Sequence, residues 1–475
     1  MDRTHDLTQG SVLKVLIRFA LPFLFSSFMQ ALYGAVDLLV VGRFSGVSAI
    51  SAVNIGSQIL QLITGFVIGI SMGTTVRLAH AVGCRDEETA ARIVGSTIVL
   101  FALLALAGTP LLLWQARNLT LLLHTPAAAL DEAVRYVRIC AAGLPFIVAF
   151  NVIAGILRGL GDSRTPMRFV GVACAVNVAG DLLLVSVFGM GVAGAALATT
   201  AAQLVSSVYG ALYLLRHRFP FRFSRRDIRL ERSAVRGITA VGLPIAMQDT
   251  LIGLSFMLLT VIANGRGLVA SSAVGVVEKL IMFMFLVPSA MLSAISTITA
   301  QNTGAGKPER AVQSVKLGAA IAAVFGAAMC ALSWAFPAAL TGIFSGDAAV
   351  IRAAGEYLKT YSIDCILVAF TFSINGYLCG TERSLVTFVH NVLSIFLVRI
   401  PAAYFLSLRY PDSLLPMGLA SPLGSVASLL ILAGYFAWRR AKRRRKAAPP
   451  RAPQPENEGR CAPGRDYADD SKAHH

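Results

Sequence analysis

Two short stretches decide how this chain of 475 residues is built: AHAVGCRDEETAAR at residues 79–92 and AQNTGAGKPERAV at residues 300–312. Ala79, Gly83, Glu88 and Ala90 reappear 221 residues later as Ala300, Gly304, Glu309 and Ala311. The same offset carries LTLLLHT from Leu119 onto LTGIFSG from Leu340, Tyr136 onto Tyr357, and AGILRG from Ala154 onto NGYLCG from Asn375. At 222 residues, Leu21-Pro22 in ALPFLFSSF meets Leu243-Pro244 in GLPIAMQDT. A near-constant offset over so many separated segments reads as an internal duplication.

Outward from these motifs, the chain is 56% hydrophobic and only 14% charged, against about 25% charged in soluble domains. The apolar residues fall in runs of about 20 to 25, the length a bilayer imposes, broken by Gly, Pro and charge clusters. Twelve helical spans are expected, near 14–41, 50–78, 92–115, 133–157, 165–188, 193–215, 236–263, 270–299, 309–334, 352–379, 384–408 and 416–438. Their Gly, Ala and Ser content suits close helix packing in lipid, and the alternation of a β-barrel is absent. The fold class is therefore an all-α polytopic membrane protein with two six-helix lobes. Six spans per copy is even, so both copies enter from one side and are related by a pseudo-two-fold axis along the membrane normal. Such repeats enclose a central cleft and are the usual build of secondary transporters.

Forty-two Lys and Arg against 25 Asp and Glu give a net charge of +17, which in a soluble protein would suggest nucleic acid. Alternating the loops between sides instead places roughly 28 basic residues on the side of both termini and roughly nine opposite, so both termini are expected in the cytoplasm and the chain in the inner membrane. The domains expected are a lobe at 1–215, a basic linker at 216–236, a second lobe at 237–438 and a basic, disordered tail at 439–475 whose RRAKRRRK start reads first as a topology signal and second as a match for anionic lipid. The start of the chain resembles a secretory signal, but its apolar part is long enough to be the first retained span. Cysteines 84, 140, 174, 330, 365, 379 and 461 show no paired spacing, so neither a disulfide framework nor a zinc site is suggested. His474 and His475 are given no function.

Ionisable residues within spans are costly and mark function by default. Asp37 in span 1 and Asp181 in span 5 share a depth in the outer half. Asn177 lies one turn from Asp181 on the same face, Thr199 is in the outer half of span 6, and Gln30 is two turns before Asp37. These five are expected to converge in one polar pocket. At the repeat offset Asp37 becomes Leu259, Asn177 becomes Val398 and Asp181 becomes Ala402, so the acids belong to one lobe and architecture alone does not demand them. A plainer role for Asp37 is an interfacial pair with Arg43. Two carboxylates in a low-dielectric site call for a neutralising H⁺ or Na⁺, and Pro22 supplies a hinge below Asp37. Asp249, Glu278 and Asp364 are candidates to line the cleft of the second lobe, with Lys279 a partner for Glu278 and Arg399 a counter-ion.

GMGVAG at Gly189–Gly194 joins two membrane helices and reads as a tight turn, and GAGK at Gly304–Lys307 lacks the rest of a P-loop, so no ATP site is expected. His80, His124 and His390 have no metal spacing or nucleophile partner, and no selectivity-filter signal is present. Neither an enzyme nor a channel is expected.

ALPFLFSSFMQALYGAVDLLVVGRFSGVSAISAVN (20–54), ILRGLGDSRTPM (156–167), NVAGDLLLVSVFGMGVAGAALAT (177–199) and AQNTGAGKPERA (300–311) together resemble the multidrug and toxic compound extrusion (MATE) family over residues 7–438. The resemblance implies twelve helices in two lobes and export of organic, often cationic, compounds driven by inward H⁺ or Na⁺, with no cofactor. It also implies that Gln30, Asp37, Asn177, Asp181 and Thr199 form the amino-lobe ion site and that Pro22 is the bending proline. Asp249 and Asp364 miss the spacing of the carboxy-lobe ion site found in a related branch. A monomer in the lipid bilayer, with no nucleic-acid partner, is expected. The rival reading is a lipid-linked saccharide or lipid flippase of the wider superfamily, which calls for a basic central cavity.

Overall fold

The structure, a computed structural model, describes residues 6–123, 125–217 and 219–447. Every regular element among them is helical. Span 1 is Val12–Ser45, span 2 Val47–Cys84 and span 3 Glu87–Leu122. Span 4 is the pair Ala127–Ala142 and Leu144–Gly159, bent by 51°. Span 5 is Arg164–Asp181 continued by a π-helical turn, Leu182–Val187, and span 6 is Gly191–Arg216. In the second copy, span 7 is Arg232–Asn264, span 8 the pair Leu268–Met284 and Leu286–Gly304 bent by 40°, and span 9 Pro308–Ala335. Span 10 is Ala348–Tyr361 and Asp364–Gly380, bent by 45°. Span 11 runs through Ser384–Ser394, the π turn Ile395–Arg399 and Ile400–Arg409, and span 12 is Ala420–Ala447. Nine described helices are singly long and apolar enough to cross a bilayer, and the three bent pairs bring the number to as many as twelve.

Leu39, Leu106, Trp114 and Val324 are more than 70% exposed, and such a surface is stable only against lipid. Inside each lobe, small residues let the helices close up over aliphatic and aromatic cores: Phe101, Leu144 and Ile156 in the first, Tyr357, Tyr361 and Met417 in the second. The linker is held to the first lobe. Phe221 joins its core with Phe219 and Phe223 beside it, and Ser96 Oγ donates to the Arg229 carbonyl at 3.0 Å. The first compact unit ends at Leu430 and a second begins at Ile431; in the latter the Lys442 ammonium lies 5.0 Å from the ring centroid of Trp438, one turn earlier on the same helix. The expected disordered tail beyond Ala447, with His474 and His475, lies outside the described residues, as does His124.

The lobes meet at the ends that carry the amino terminus. Gly83 lies so close to the Gln301 carbonyl that a Cβ would not fit, and Gly304 stands likewise against the His80 carbonyl. Gly83 and Gly304 are repeat mates, as are His80 and Gln301, so the contact maps onto itself under a two-fold rotation. Arg77 of span 2 reaches across to Glu382, after span 10, with two hydrogen bonds of 2.7 and 2.8 Å. The segment before span 1 is stitched to the opposite lobe: Asn302 Nδ2 donates to the Leu7 carbonyl at 3.2 Å and Arg310 Nη1 to that of Gly10 at 2.8 Å.

Candidate functional site

Asp37 sits toward the far end of span 1, about 25 Å along the axis from Phe19 and Ala20, where that helix packs on span 8. Asp181 closes the α-helical part of span 5, directly before the π turn, a distortion that concentrates at functional positions. Asn177 stands one turn earlier, and its Nδ2 donates to Thr199 Oγ1 of span 6 at 3.3 Å. All four residues are buried: Asp37 is 5% exposed, Asn177 1%, Asp181 0% and Thr199 9%. The carboxyl groups of Asp37 and Asp181 neighbour each other across spans 1 and 5, and Val40, Val53, Ala133 and Val185 form a buried apolar cluster in the same lobe.

Asp37 Oδ1, both carboxylate oxygens of Asp181 and Asn177 Oδ1 are buried without a hydrogen-bond donor. Among the described residues no Lys, Arg or His pairs with either acid, and Arg43, the plainer partner, is exposed. Unpartnered acceptors of this kind are expensive to bury, and two facing carboxylates add mutual repulsion. A proton or a positive charge would satisfy these oxygens, and the donor set of carboxylate, amide and hydroxyl oxygen suits a hard cation.

Gln30 lies on span 1 but is exposed and makes no hydrogen bond among the described residues. Pro22 is buried inside the helix without ending it, and Ser26 Oγ donates to its carbonyl at 2.8 Å. Tyr136 stands out in the sequence only as a repeat position, yet it forms part of the pocket. Its hydroxyl is 3.2 Å from Ser57 Oγ and neighbours Thr199, and its ring lies on Gly56, where a Cβ would collide. The available signal is a tyrosine in an apolar span, whose hydroxyl must find a partner when buried.

The second lobe is polar in another way. Arg399, in the π turn of span 11, is 9% exposed; its Nη2 donates to Tyr361 Oη at 3.0 Å and its guanidinium lies 4.8 Å from the Phe256 ring centroid. Glu278 accepts from Thr260 Oγ1 at 3.1 Å and Asp364 from Ser421 Oγ at 2.7 Å, with Arg399 near both acids. Glu278 therefore turns to Thr260 rather than Lys279, and Asp364 is buried inside the lobe instead of lining a cleft. Asp249 is exposed on span 7. Arg399 follows directly on Val398, the mate of Asn177, so one lobe holds a fixed cation where the other holds unpartnered acids. No group of three His, Cys, Asp or Glu arranged for a metal occurs among the described residues.

The MatE family model matches this chain twice, at residues 22–183 and 244–405, which reproduces the 222-residue offset. The chain is 27% identical over 442 residues, 93% of its length and 99% of the relative's, to the probable multidrug resistance protein YpnP of Bacillus subtilis (strain 168). It is 25% identical over 447 residues, 92% of its length and 96% of the relative's, to the FAD transporter of Shewanella oneidensis. Its fold is similar to the outward-facing conformation of a multidrug resistance MATE family transporter, with a TM-score of 0.87, 22% identity and coverage of 93% of this chain and 99% of that one. With the duplicated six-span lobes and two family matches in register, the chain belongs to the MatE family of multidrug efflux transporters.

Proposed function

We propose that this protein exports small organic cations in exchange for inward H⁺ or Na⁺, by alternating access, as a monomer in the cytoplasmic membrane with both termini in the cytoplasm. Asp37 and Asp181 are the coupling acids, Asn177 and Thr199 orient them, Gln30 lies on the approach along span 1, and Pro22 is the hinge. The observation that carries this reading is the set of four buried acceptor oxygens with no donor at Asp37, Asp181 and Asn177. An ion that fills the pocket removes the repulsion and makes the lobe more compact, so span 1 moves with the ion's arrival and departure. Because the facing pair of buried carboxylates without an ion-pair partner lies in the first lobe, loading biases the two lobes unequally, which an alternating cycle needs. The carboxylates argue against a flippase, whose phosphate cargo wants a basic central cavity.

One observation favours a second reading, export of an anionic metabolite: the likeness to a relative named as an FAD transporter. A single assay separates the two. In reconstituted vesicles, a fluorescent organic cation and FAD are offered separately under an imposed pH gradient and then a Na⁺ gradient. Cation movement driven by one gradient supports the proposal and names the ion; movement of FAD alone supports the second reading.

A further inference from the structure

A cavity of about 500 Å³, separate from the acidic pocket, lies at the entry ends of spans 1 and 5, on the side of the amino terminus. Lys14 and Arg18 line it from span 1, and Arg164 and Arg168 from span 5. Each pair is spaced i, i+4, so like charges stand one turn apart on one helix face, an arrangement that costs helix stability. The two helices pack side by side, bringing the pairs together from positions some 150 residues apart in the chain.

Two acids also line the cavity, and both are already committed. Asp6 accepts from Thr8 N at 2.8 Å, Thr8 Oγ1 at 2.7 Å and Gln9 Nε2 at 2.8 Å. Against its desolvation, the Thr8 hydrogen bonds keep that carboxyl below its ordinary range, hence ionised and occupied. Asp162 caps span 5 through Arg164 N at 2.9 Å and Thr165 N at 3.0 Å, with Thr165 Oγ1 at 2.5 Å. Among the described residues none of the four cations forms an ion pair. Tyr213, stacked on His217 at 4.0 Å between ring centroids, closes one wall.

Topology alone does not explain this clustering. At the repeat offsets the second lobe carries Arg236, Ala240, Leu385 and Val389 in place of Lys14, Arg18, Arg164 and Arg168, although both lobes enter the membrane from the same side. Four cations against two carboxylates already held by their own hydrogen bonds leave a net positive lining around a cavity of this size, which matches a group bearing several anionic oxygens, for which arginine offers paired donors. We propose that this cavity is a binding site for a phosphate ester, taken either from the headgroup of an anionic phospholipid or from a soluble phosphorylated compound, held between spans 1 and 5 by Lys14, Arg18, Arg164 and Arg168. Arg18 is one turn before Pro22, so the ligand braces span 1 next to its proline.

The full-length protein in detergent tests this by thermal unfolding against added phosphatidylglycerol, phosphatidylcholine or inorganic phosphate. Arg18→Gln/Arg168→Gln removes half of the site, Lys14→Gln/Arg164→Gln the other half, and Arg236→Gln, at the repeat mate of Lys14 and outside the cavity, is the control; because either double variant suffices, misfolding of one leaves the test intact. Protection of the wild type by phosphatidylglycerol but not phosphatidylcholine, with a half-saturating concentration at least fivefold higher in a double variant and unchanged in the control, establishes the site with lipid as source. Protection by inorganic phosphate alone, lost in the double variants, establishes it with a soluble source. Equal protection of wild type and double variants, or equal loss in Arg236→Gln, overturns it.

Discussion

Gly83→Ala tests how the lobes are held. The added methyl would stand about 1 Å inside the closest normal carbon–oxygen approach to the Gln301 carbonyl. Gln301 is itself fixed, since its Nε2 donates to the Gly159 carbonyl at 3.2 Å and its Oε1 accepts from Leu7 N at 3.3 Å, so the clash is relieved by moving span 8 away from span 2. Overpacking of this size costs roughly 1–3 kcal/mol. The cost falls only on the arrangement in which these ends touch, so the equilibrium between lobe arrangements shifts by about five- to 150-fold. Spin labels at Glu87→Cys and Glu309→Cys, exposed positions of the two motif copies, in a background free of other cysteines, read the separation directly. The wild type gives one short distance, and Gly83→Ala adds a longer population. Gly171→Ala, whose Cβ would meet Met29 at an ordinary 3.7 Å, leaves the distribution unchanged. An unaltered short distance in Gly83→Ala, with the protein folded, would refute the reasoning.

Other consequences can be checked more simply. Arg399→Met leaves Glu278 and Asp364 without their cation and removes the bond to Tyr361, so stability falls by roughly 3 kcal/mol, read as a lower unfolding temperature; an unchanged temperature contradicts the role given to Arg399. Tyr136→Phe loses the contact with Ser57 and costs about 1 kcal/mol, and it slows gradient-driven efflux while leaving the protein folded. Asp86 caps span 3, and the Thr89 hydrogen bonds hold its carboxyl below its ordinary value of 3.8. Since the folded-state value is the lower one, the cap's contribution is present above that ordinary value and is lost as pH falls through the folded one. Asp86→Ala should therefore lower stability by about 1 kcal/mol at neutral pH, and the difference from wild type should shrink in acid below that ordinary value.

The duplication and the number of spans were legible because both are one-dimensional signals: a constant offset, and apolar length set by the bilayer. The breaks in spans 4, 8 and 10 were not, because a bend does not interrupt apolarity. Pro145 and Pro288 stand at the first two breaks, but between Tyr361 and Asp364 no proline marks the third. The depth match of Asp37 and Asp181 and the helical spacing of Asn177 were enough to anticipate which side chains meet. Gln30 shows the limit of that logic: seven residues return nearly to one face, but two turns of axial distance leave it outside the buried group. Arg399 was readable as a counter-ion, whereas its engagement with Tyr361 and Phe256 depends on a π turn that no periodicity announces. The cation cavity was hidden for a different reason. Its charges read as topology signals, and only the packing of span 1 against span 5 brings them together.

The most direct measurement is gradient-driven efflux by Asp37→Asn in reconstituted vesicles, set beside substrate exchange at equal concentrations with no ion gradient. The account predicts that driven efflux is abolished while exchange persists, because the substitution removes the charge that the ion must neutralise and leaves the lobes free to move. Driven efflux at the wild-type rate in Asp37→Asn would contradict it.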